Sequence, residues 1–339
     1  MRTFAIRLYK SLVKPVHNRS DSSAIGFALK AVFSLFIIGY ILVKLLGDNL
    51  SFFDYLKELT WKDSIWIVLA LAGMWVNLGF EAMKWLVMVR KSDADYPFQQ
   101  ALVSVFAGLT AGIFTPNRIG DYAGRIAFLS PDLRFKAVAW LFVDRLCQML
   151  VTIWMGTLSF EYFWHFHQLS IANGIHVSLE TLLLFRYFLW TVTILLPTGL
   201  LILPWAIQSF AFFNRYHYFR KIYLGFRELS PKILLQIVGL GFMRYLAFSL
   251  QYYFLLIAFG YEGSFLLALA MILAVFLVKS VIPSITLTEL GIRESVAMTI
   301  MGVFAVSGFI AFSSTFLLYL INIILPALVG LVFINRLKI

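Results

Sequence analysis

The sequence predicts an all-α polytopic membrane protein, with about six full spans and two opposed re-entrant or broken-helix hairpins in an inverted-topology repeat. The first supporting observation is composition: 61% of the 339 residues are hydrophobic and 13% are charged, against about 45–50% and about 25% in soluble domains. This balance excludes a soluble enzyme and a disordered chain, and the single cysteine, Cys147, excludes a disulfide scaffold. The other two observations are long apolar segments and the placement of basic residues.

A helix that crosses a bilayer needs about 20 mostly apolar residues, because lipid offers the backbone no hydrogen bonds. Six segments meet this requirement: residues 24–46, 64–89, 137–160, 182–207, 233–259 and 309–334. Two further apolar segments, 98–128 and 264–304, are interrupted near the middle by proline, glycine and charged residues. We expect each to enter the membrane and return to the same side, although two ordinary spans joined by a loop would satisfy the same arrangement.

Basic residues predict the orientation, because cytoplasmic flanks of spans collect Lys and Arg. The chain has 28 Lys and Arg against 17 Asp and Glu, a net charge of +11. The loop at 161–181 contains no Lys or Arg, whereas the basic clusters lie in residues 1–23, 90–91, 134–136, 215–232 and 336–339. We therefore expect a basic cytoplasmic segment at 1–23, a single transmembrane domain at 24–335 and a basic cytoplasmic tail at 336–339.

This orientation predicts an internal repeat. Residues 64–160 and 233–334 each contain a span, an interrupted segment and a span, and the two halves run in opposite directions. In transporters such repeats place broken helices near the membrane midplane, where a polar ligand can bind. The residues expected to end helices or to permit close backbone approach at the two hairpin tips are Pro116, Gly120, Gly124, Pro283 and Gly291.

Charged residues at these tips are the candidate site, because a charge in lipid costs about 2.5 kcal/mol or more and usually serves a function. The candidates for binding a lipid headgroup are Arg118, Asp121, Arg125, Asp144, Arg145, Glu289, Arg293 and Glu294. With Arg244 in the neighbouring span, basic groups outnumber acids by one. Arginine grips phosphate through a fork of donors, which favours a phosphate-bearing ligand. The alternative is that these charges only pair with one another and join the two halves.

Other charged or reactive patterns point to no further chemistry. Glu81 and Lys84 have the spacing of a structural pair on a helix face. The sequence lacks a P-loop, a dinucleotide fingerprint, a nucleophile elbow and a paired-histidine zinc motif. We expect no catalytic residue, no cofactor and no metal. The positive charge indicates contact with anionic lipid rather than with nucleic acid.

The tip motifs, taken in order, resemble those of a known family. They are the segment 115–121 (TPNRIGD) followed by Arg125, the pair Asp144-Arg145, and the segment 290–294 (LGIRE) after a proline. These motifs are similar to those of the lysylphosphatidylglycerol synthase transmembrane-region family, over about residues 24–334. The family includes the flippase domain of the multiple peptide resistance factor and stand-alone flippase-like proteins. No aminoacyltransferase-like domain follows the last span, so we do not expect aminoacyl transfer from this polypeptide.

The resemblance implies a translocator of a polar, phosphate-bearing lipid in a bacterial inner membrane, with both termini cytoplasmic. Its partners would be membrane lipids, either anionic or carrying a lipid-linked glycan, and a second copy of the chain or a separate biosynthetic enzyme. Two alternatives stay open. One is a membrane-embedded enzyme or subunit acting on a lipid-linked sugar, with Asp121 or Glu289 as the base. The other is a structural partner in envelope assembly.

Overall fold

The computed structural model describes residues 60–113, 115, 118–167, 177–209, 217–282 and 286–334. The predicted span at 24–46, the basic segment at 1–23 and the tail at 336–339 lie outside these residues. So do Pro116, Pro283 and the side chain of Glu289. The boundaries of the transmembrane domain therefore stay a prediction.

The part of the chain that the structure describes is helical and contains no β-strand. In chain order the helices are α1 (Trp61–Val89), α2 (Phe98–Ile113), α3 (Ile119–Ile126), α4 (Pro131–Phe166), α5 (Leu179–Ser209), α6 (His217–Glu228), α7 (Pro231–Ala258), α8 (Phe265–Val281), α9 (Thr286–Gly302), α10 (Gly308–Tyr319) and α11 (Leu325–Ile334). A π-helical turn, Leu320–Ile324, joins α10 to α11.

Within the described part of the chain, five helical segments are long and apolar enough to cross a membrane. They are Trp61–Val89, Pro131–Phe166, Leu179–Ile202, Pro231–Ala258 and Gly308–Phe333. Each corresponds to one of the spans predicted between residues 64 and 334, so the prediction of an all-α polytopic membrane protein is confirmed. Helices α2 and α8 are apolar but have 16 and 17 residues. Each is about 25 Å long, which is shorter than the hydrocarbon core of a bilayer.

The first helices of the two predicted halves, α1 and α7, pack against each other and run antiparallel. Near the start of α1, the ring of Trp66 lies 5.6 Å from that of Phe254. One turn further on, Gln251 Nε2 donates to the Ala70 carbonyl at 2.9 Å. As the residue numbers rise along α1 they fall along α7, which is the relation that an inverted repeat predicts.

Each short apolar helix packs against the last long helix of the opposite half. Thr110 Oγ1 on α2 donates to the Ala327 carbonyl on α11 at 2.8 Å. Ser159 Oγ on α4 donates to the Ala270 carbonyl on α8 at 2.7 Å. Polar side chains of this kind join helices in lipid because the backbone carbonyl accepts a second hydrogen bond. In both halves, therefore, the short apolar helix packs on a long helix of the other half.

Helices α2 and α3 form a tight hairpin through four glycines spaced as two GxxxG motifs, Gly108 with Gly112 and Gly120 with Gly124. A Cβ at Gly120 would lie 2.1 Å from the Ala111 carbonyl oxygen, so only glycine fits there. A Cβ at Gly124 would lie 2.5 Å from the carbonyl oxygen of Ala107, which is one turn before Ala111 on α2. The chain therefore turns back on itself within the first interrupted segment. Re-entry of this hairpin into a membrane stays a prediction.

The turn between α9 and α10 holds an alanine in the left-handed conformation. Ala305 has φ of +59°, and the N–H groups of Ala305 and Val306 donate to the Gly302 and Met301 carbonyls at 3.0 and 3.2 Å. This is the Schellman arrangement, in which glycine normally occupies the left-handed position. At the end of α7 the same position is held by Gly260, with φ of +92°.

We expect Ala305→Gly to raise the free energy of unfolding by about 0.5–1 kcal/mol, because relief of the left-handed strain exceeds the added entropy of the unfolded chain. Thermal unfolding of the purified protein in detergent would measure the change. The matched variant Gly260→Ala should shift the transition in the opposite direction. A lower unfolding temperature for Ala305→Gly would contradict the assignment of strain to this turn.

Candidate functional site

Two oppositely charged side chains lie buried in the last third of α1. Glu81 is 3% exposed and Lys84 is 1% exposed, and Lys84 Nζ lies 2.9 Å from Glu81 Oε2. Lys84 also reaches Asp144 Oδ1 on α4, at 2.7 Å. The lysine therefore ties α1 to α4 through a carboxylate that is itself fully buried.

Arg125 on α3 bridges two acids with its guanidinium group. Its Nε donates to Asp121 Oδ1 at 2.8 Å, one turn earlier on the same helix. Its Nη2 donates to Glu81 Oε1 on α1 at 2.6 Å. Arg125 Nη1 has no hydrogen-bond partner among the described residues, although the side chain is buried. The guanidinium group thus links the hairpin to α1, and its Nη1 donor is not used by the described residues.

Two further arginines approach the same acids from α4 and α7. Arg145 Nη2 donates to Asp121 Oδ2, and Arg244 Nε lies 3.2 Å from Glu81 Oε2. Arg145 and Arg244 side chains are 37% and 27% exposed, whereas Glu81 and Asp121 side chains are 4% exposed. We name this group the charged cluster; its members are Glu81, Lys84, Asp121, Arg125, Asp144, Arg145 and Arg244.

A small cavity of about 30 Å³ lies beside the charged cluster, among α1, the α2–α3 hairpin, α4, α7 and the π-helical turn. The charged residues that line it are Glu81, Arg118, Asp121, Arg125, Arg145 and Arg244. The three guanidinium groups of the charged cluster that line it, those of Arg125, Arg145 and Arg244, face two carboxylates, which leaves an excess of one positive charge. The volume admits about one or two water molecules. The cavity is therefore positively charged and too small for a phosphate ester as it stands.

The hairpin turn places its charges next to this cavity. Arg118, just before α3, has a left-handed backbone with φ of 55° and ψ of 32°. Thr115 Oγ1 accepts a hydrogen bond from the Gly120 N–H at 2.6 Å and so holds the first turn of α3. Because Asp121 and Arg125 are four positions apart on that helix, they share one face.

The π-helical turn reaches the opposite edge of the cavity. Pro326 has no N–H, and its ring disfavours a normal α-helical approach to the carbonyl of Asn322. The widened turn places the Asn322 side chain against the cavity, where Asn77 Nδ2 on α1 donates to Asn322 Oδ1 at 2.8 Å. Such π turns within long helices are frequent at functional sites.

The second tip forms a separate buried polar position. Arg293 and Glu294 on α9 are 7% and 1% exposed, and the Arg293 guanidinium lies 5.2 Å from the ring centroid of Tyr319 on α10. Gly291, the first residue of α9 whose burial the structure describes, is partly buried. Neither Arg293 nor Glu294 lines the 30 Å³ cavity.

The structure thus brings together five of the predicted headgroup residues: Arg118, Asp121, Arg125, Asp144 and Arg145. It adds Glu81 and Lys84, whose spacing predicts a structural pair on a helix face. The pair is present, but it also binds Arg125, Arg244 and Asp144. The sequence signal for this larger role was the presence of two ionisable residues within a 29-residue apolar helix.

The acids of the charged cluster are all engaged by cations, and the described residues contain no group of three or more His, Cys, Asp or Glu side chains that could hold a metal ion. The arrangement is instead suited to an anion. Guanidinium donors converge on one cavity, and the carboxylates keep them in place.

Comparison with known protein families finds one whose sequence model matches this chain, described as the lysylphosphatidylglycerol synthase TM region, over residues 27–330. Comparison with curated protein sequences finds no match. The family match includes both interrupted segments and every member of the charged cluster. This agrees with the resemblance carried by the tip motifs, and the match covers most of the chain. The protein therefore belongs to the lysylphosphatidylglycerol synthase transmembrane-region family.

Proposed function

We propose that the protein translocates a polar, phosphate-bearing lipid between the leaflets of a bacterial inner membrane, with the headgroup passing through the charged cluster. Membership of the family fits a membrane-lipid role. The observation that carries the proposal is the excess of one positive charge where Arg125, Arg145 and Arg244 meet Glu81 and Asp121 at the cavity. A headgroup phosphate would offset that excess in surroundings where unbalanced charge is costly.

The binding chemistry follows from the arginines. Guanidinium groups bind phosphate through two parallel hydrogen bonds. Arg145 and Arg244 are the most exposed members of the cluster, and Arg125 Nη1 is a donor without a hydrogen-bond partner in the described part of the chain. The phosphate would take the place of Asp121 on Arg145, while Asp121 keeps its hydrogen bond from Arg125, so the added negative charge offsets the positive excess. The hydrocarbon chains would stay in lipid.

Translocation requires the helices around the cavity to separate, because the present volume of about 30 Å³ holds only water. The elements at its edge are suited to such a motion. The α2–α3 hairpin ends in a left-handed turn at Arg118, and the π-helical turn interrupts the last long helix at Asn322. In this proposal Glu81 and Asp121 act as positioning residues that hold the arginines while the site is closed. We assign no catalytic residue.

Closure of this cavity favours a second candidate, a structural partner in envelope assembly, since charges that pair with one another can simply join the two halves. The enzyme alternative has less support from the geometry. Asp121, one of the two acids considered as a base, accepts hydrogen bonds from both Arg125 and Arg145. A carboxylate held in this way is poorly placed to take a proton from a substrate.

Native mass spectrometry of gently extracted protein, with lipid analysis of what co-purifies, tests the proposal. We expect a phosphate-bearing lipid enriched over the bulk membrane, and a loss of that enrichment in Arg145→Gln. Arg134→Gln is the matched control: Arg134 lies on the same helix, outside the cavity, and donates to the Leu129 carbonyl at 3.1 Å. Lipid in bulk proportions, or equal enrichment in all three proteins, would contradict the proposal and favour the structural partner.

A further inference from the structure

A second, larger cavity lies among α4, α5, α8 and α9. Its volume is about 340 Å³, roughly ten times that of the charged cavity. Apart from Thr181, apolar side chains line it, among them Phe160, Phe163, Ala274 and Phe304. Water does not fill an apolar cavity, because it would find no hydrogen-bond partners there.

The apolar cavity opens towards the surroundings of the helices. Val278 and Phe185 line it, and they are 38% and 42% exposed. For helices long enough to cross a membrane, these surroundings are lipid hydrocarbon. An apolar cavity open to hydrocarbon gains dispersion contacts when a hydrocarbon chain enters it. The occupant is therefore expected to be a lipid chain.

A charged pair that directly follows two cavity-lining residues, Phe160 and Phe185, in the chain adds a place for the headgroup. Glu161, next to Phe160 in the chain, accepts two hydrogen bonds from Arg186, at 2.7 and 2.9 Å. The guanidinium of Arg186 lies 5.4 Å from the ring centroid of Trp164. Its third nitrogen, Nη1, makes no hydrogen bond with the described residues and can donate to a phosphate or ester oxygen. Tryptophan is also the side chain typical of the membrane interface.

The apolar cavity is separate from the charged cavity. Arg145 lines the charged cavity and Phe160 lines the apolar one, fifteen positions further along α4. At the rise of an α-helix this separation is about 22 Å. A lipid in the apolar cavity therefore does not place its headgroup in the charged cluster.

We propose that this apolar cavity binds one hydrocarbon chain of a membrane phospholipid, with the headgroup against Arg186. The site includes Val177 and Thr181, which belong to the segment 161–181 that the distribution of basic residues places on the side opposite to the termini. It would hold a lipid of that leaflet whether or not the protein moves lipid, so the inference goes beyond the proposed translocation.

Crosslinking with phosphatidylglycerol that carries a diazirine in one acyl chain tests the site. The full chain is reconstituted with this probe and irradiated, and the crosslinked peptides are mapped by mass spectrometry. We expect crosslinks concentrated on the segments of α4, α8 and α9 that line the apolar cavity. Ala274→Phe should fill the cavity and lower their yield severalfold, and Val278→Phe provides a second variant in case the first does not fold.

The matched control is Leu195→Phe, which enlarges a side chain on α5 that is 61% exposed and does not line the cavity. It should leave the crosslinks unchanged. Crosslinks spread evenly over all lipid-facing helices, or a yield unaffected by both cavity variants, would overturn the inference. Loss of the crosslinks in Ala274→Phe with enrichment of co-purified lipid kept at the charged cluster would separate this site from the proposed function.

Discussion

Lys84→Met is expected to lower the free energy of unfolding by about 3–5 kcal/mol, because it leaves the buried Asp144 carboxylate without its cation. Lys84 Nζ lies 2.7 Å from Asp144 Oδ1, and both side chains are at most 1% exposed. Glu81 would still be held by Arg125 and Arg244, so the loss falls on Asp144. Unfolding of the purified protein in detergent, followed by tryptophan fluorescence, would measure the change.

The double variant Lys84→Met with Asp144→Leu separates a lost ion pair from a lost packing contact. It removes both charges, so we expect it to recover most of the stability. Lys62→Met, at an exposed position on the same helix, should change stability by less than about 0.5 kcal/mol. If the double variant were as unstable as the single one, the pair would not account for the loss.

Arg125→Lys is expected to slow lipid translocation by about tenfold or more, although the charge is kept. Arg125 binds Asp121 through Nε and Glu81 through Nη2, and a lysine ammonium lacks the planar fork that makes both contacts. Loss of one charge-assisted hydrogen bond costs about 1.5–3 kcal/mol, and each 1.4 kcal/mol on the barrier corresponds to about tenfold in rate. The rate is measured with a fluorescent phospholipid in vesicles that contain the protein.

Size-exclusion chromatography must show that the Arg125→Lys protein is folded before its rate is interpreted. Arg134→Lys is the control for a conservative change on a neighbouring helix, and it should translocate at the wild-type rate. An unchanged rate in Arg125→Lys would mean that the bridge between the hairpin and α1 does not take part in translocation.

The membrane helices could be predicted from the sequence because hydrophobic length is a local property. Segment 64–89 became α1 and segment 233–259 became α7, since each contains enough apolar residues to satisfy its own backbone in lipid. The hairpin could also be predicted, because proline and glycine interrupt segment 98–128 near its middle. The antiparallel contact of α1 with α7 follows from the predicted repeat, but its register does not.

The site could be predicted only where its partners are close in sequence. The spacing of Asp121 and Arg125 places both on one face of α3, and this is visible from the sequence. The bond from Arg125 to Glu81 joins residues 44 positions apart, and it depends on how α1 and the hairpin pack. For the same reason the spacing of Glu81 and Lys84 predicts an ion pair on one helix, but it does not predict the charged cluster to which both residues belong.

In the proposed function the protein moves a phosphate-bearing lipid through the charged cluster. The most direct test of this function is to reconstitute the purified protein into vesicles containing phosphatidylglycerol with a fluorescent headgroup, and to add a quencher that cannot cross the membrane. We predict that wild-type protein and Arg134→Gln expose the inner-leaflet lipid to the quencher, and that the double variant Arg145→Gln with Arg244→Gln returns exposure to the protein-free rate. Protection of the inner-leaflet lipid by the wild type, or equal rates in the double variant and the wild type, would contradict the proposed function.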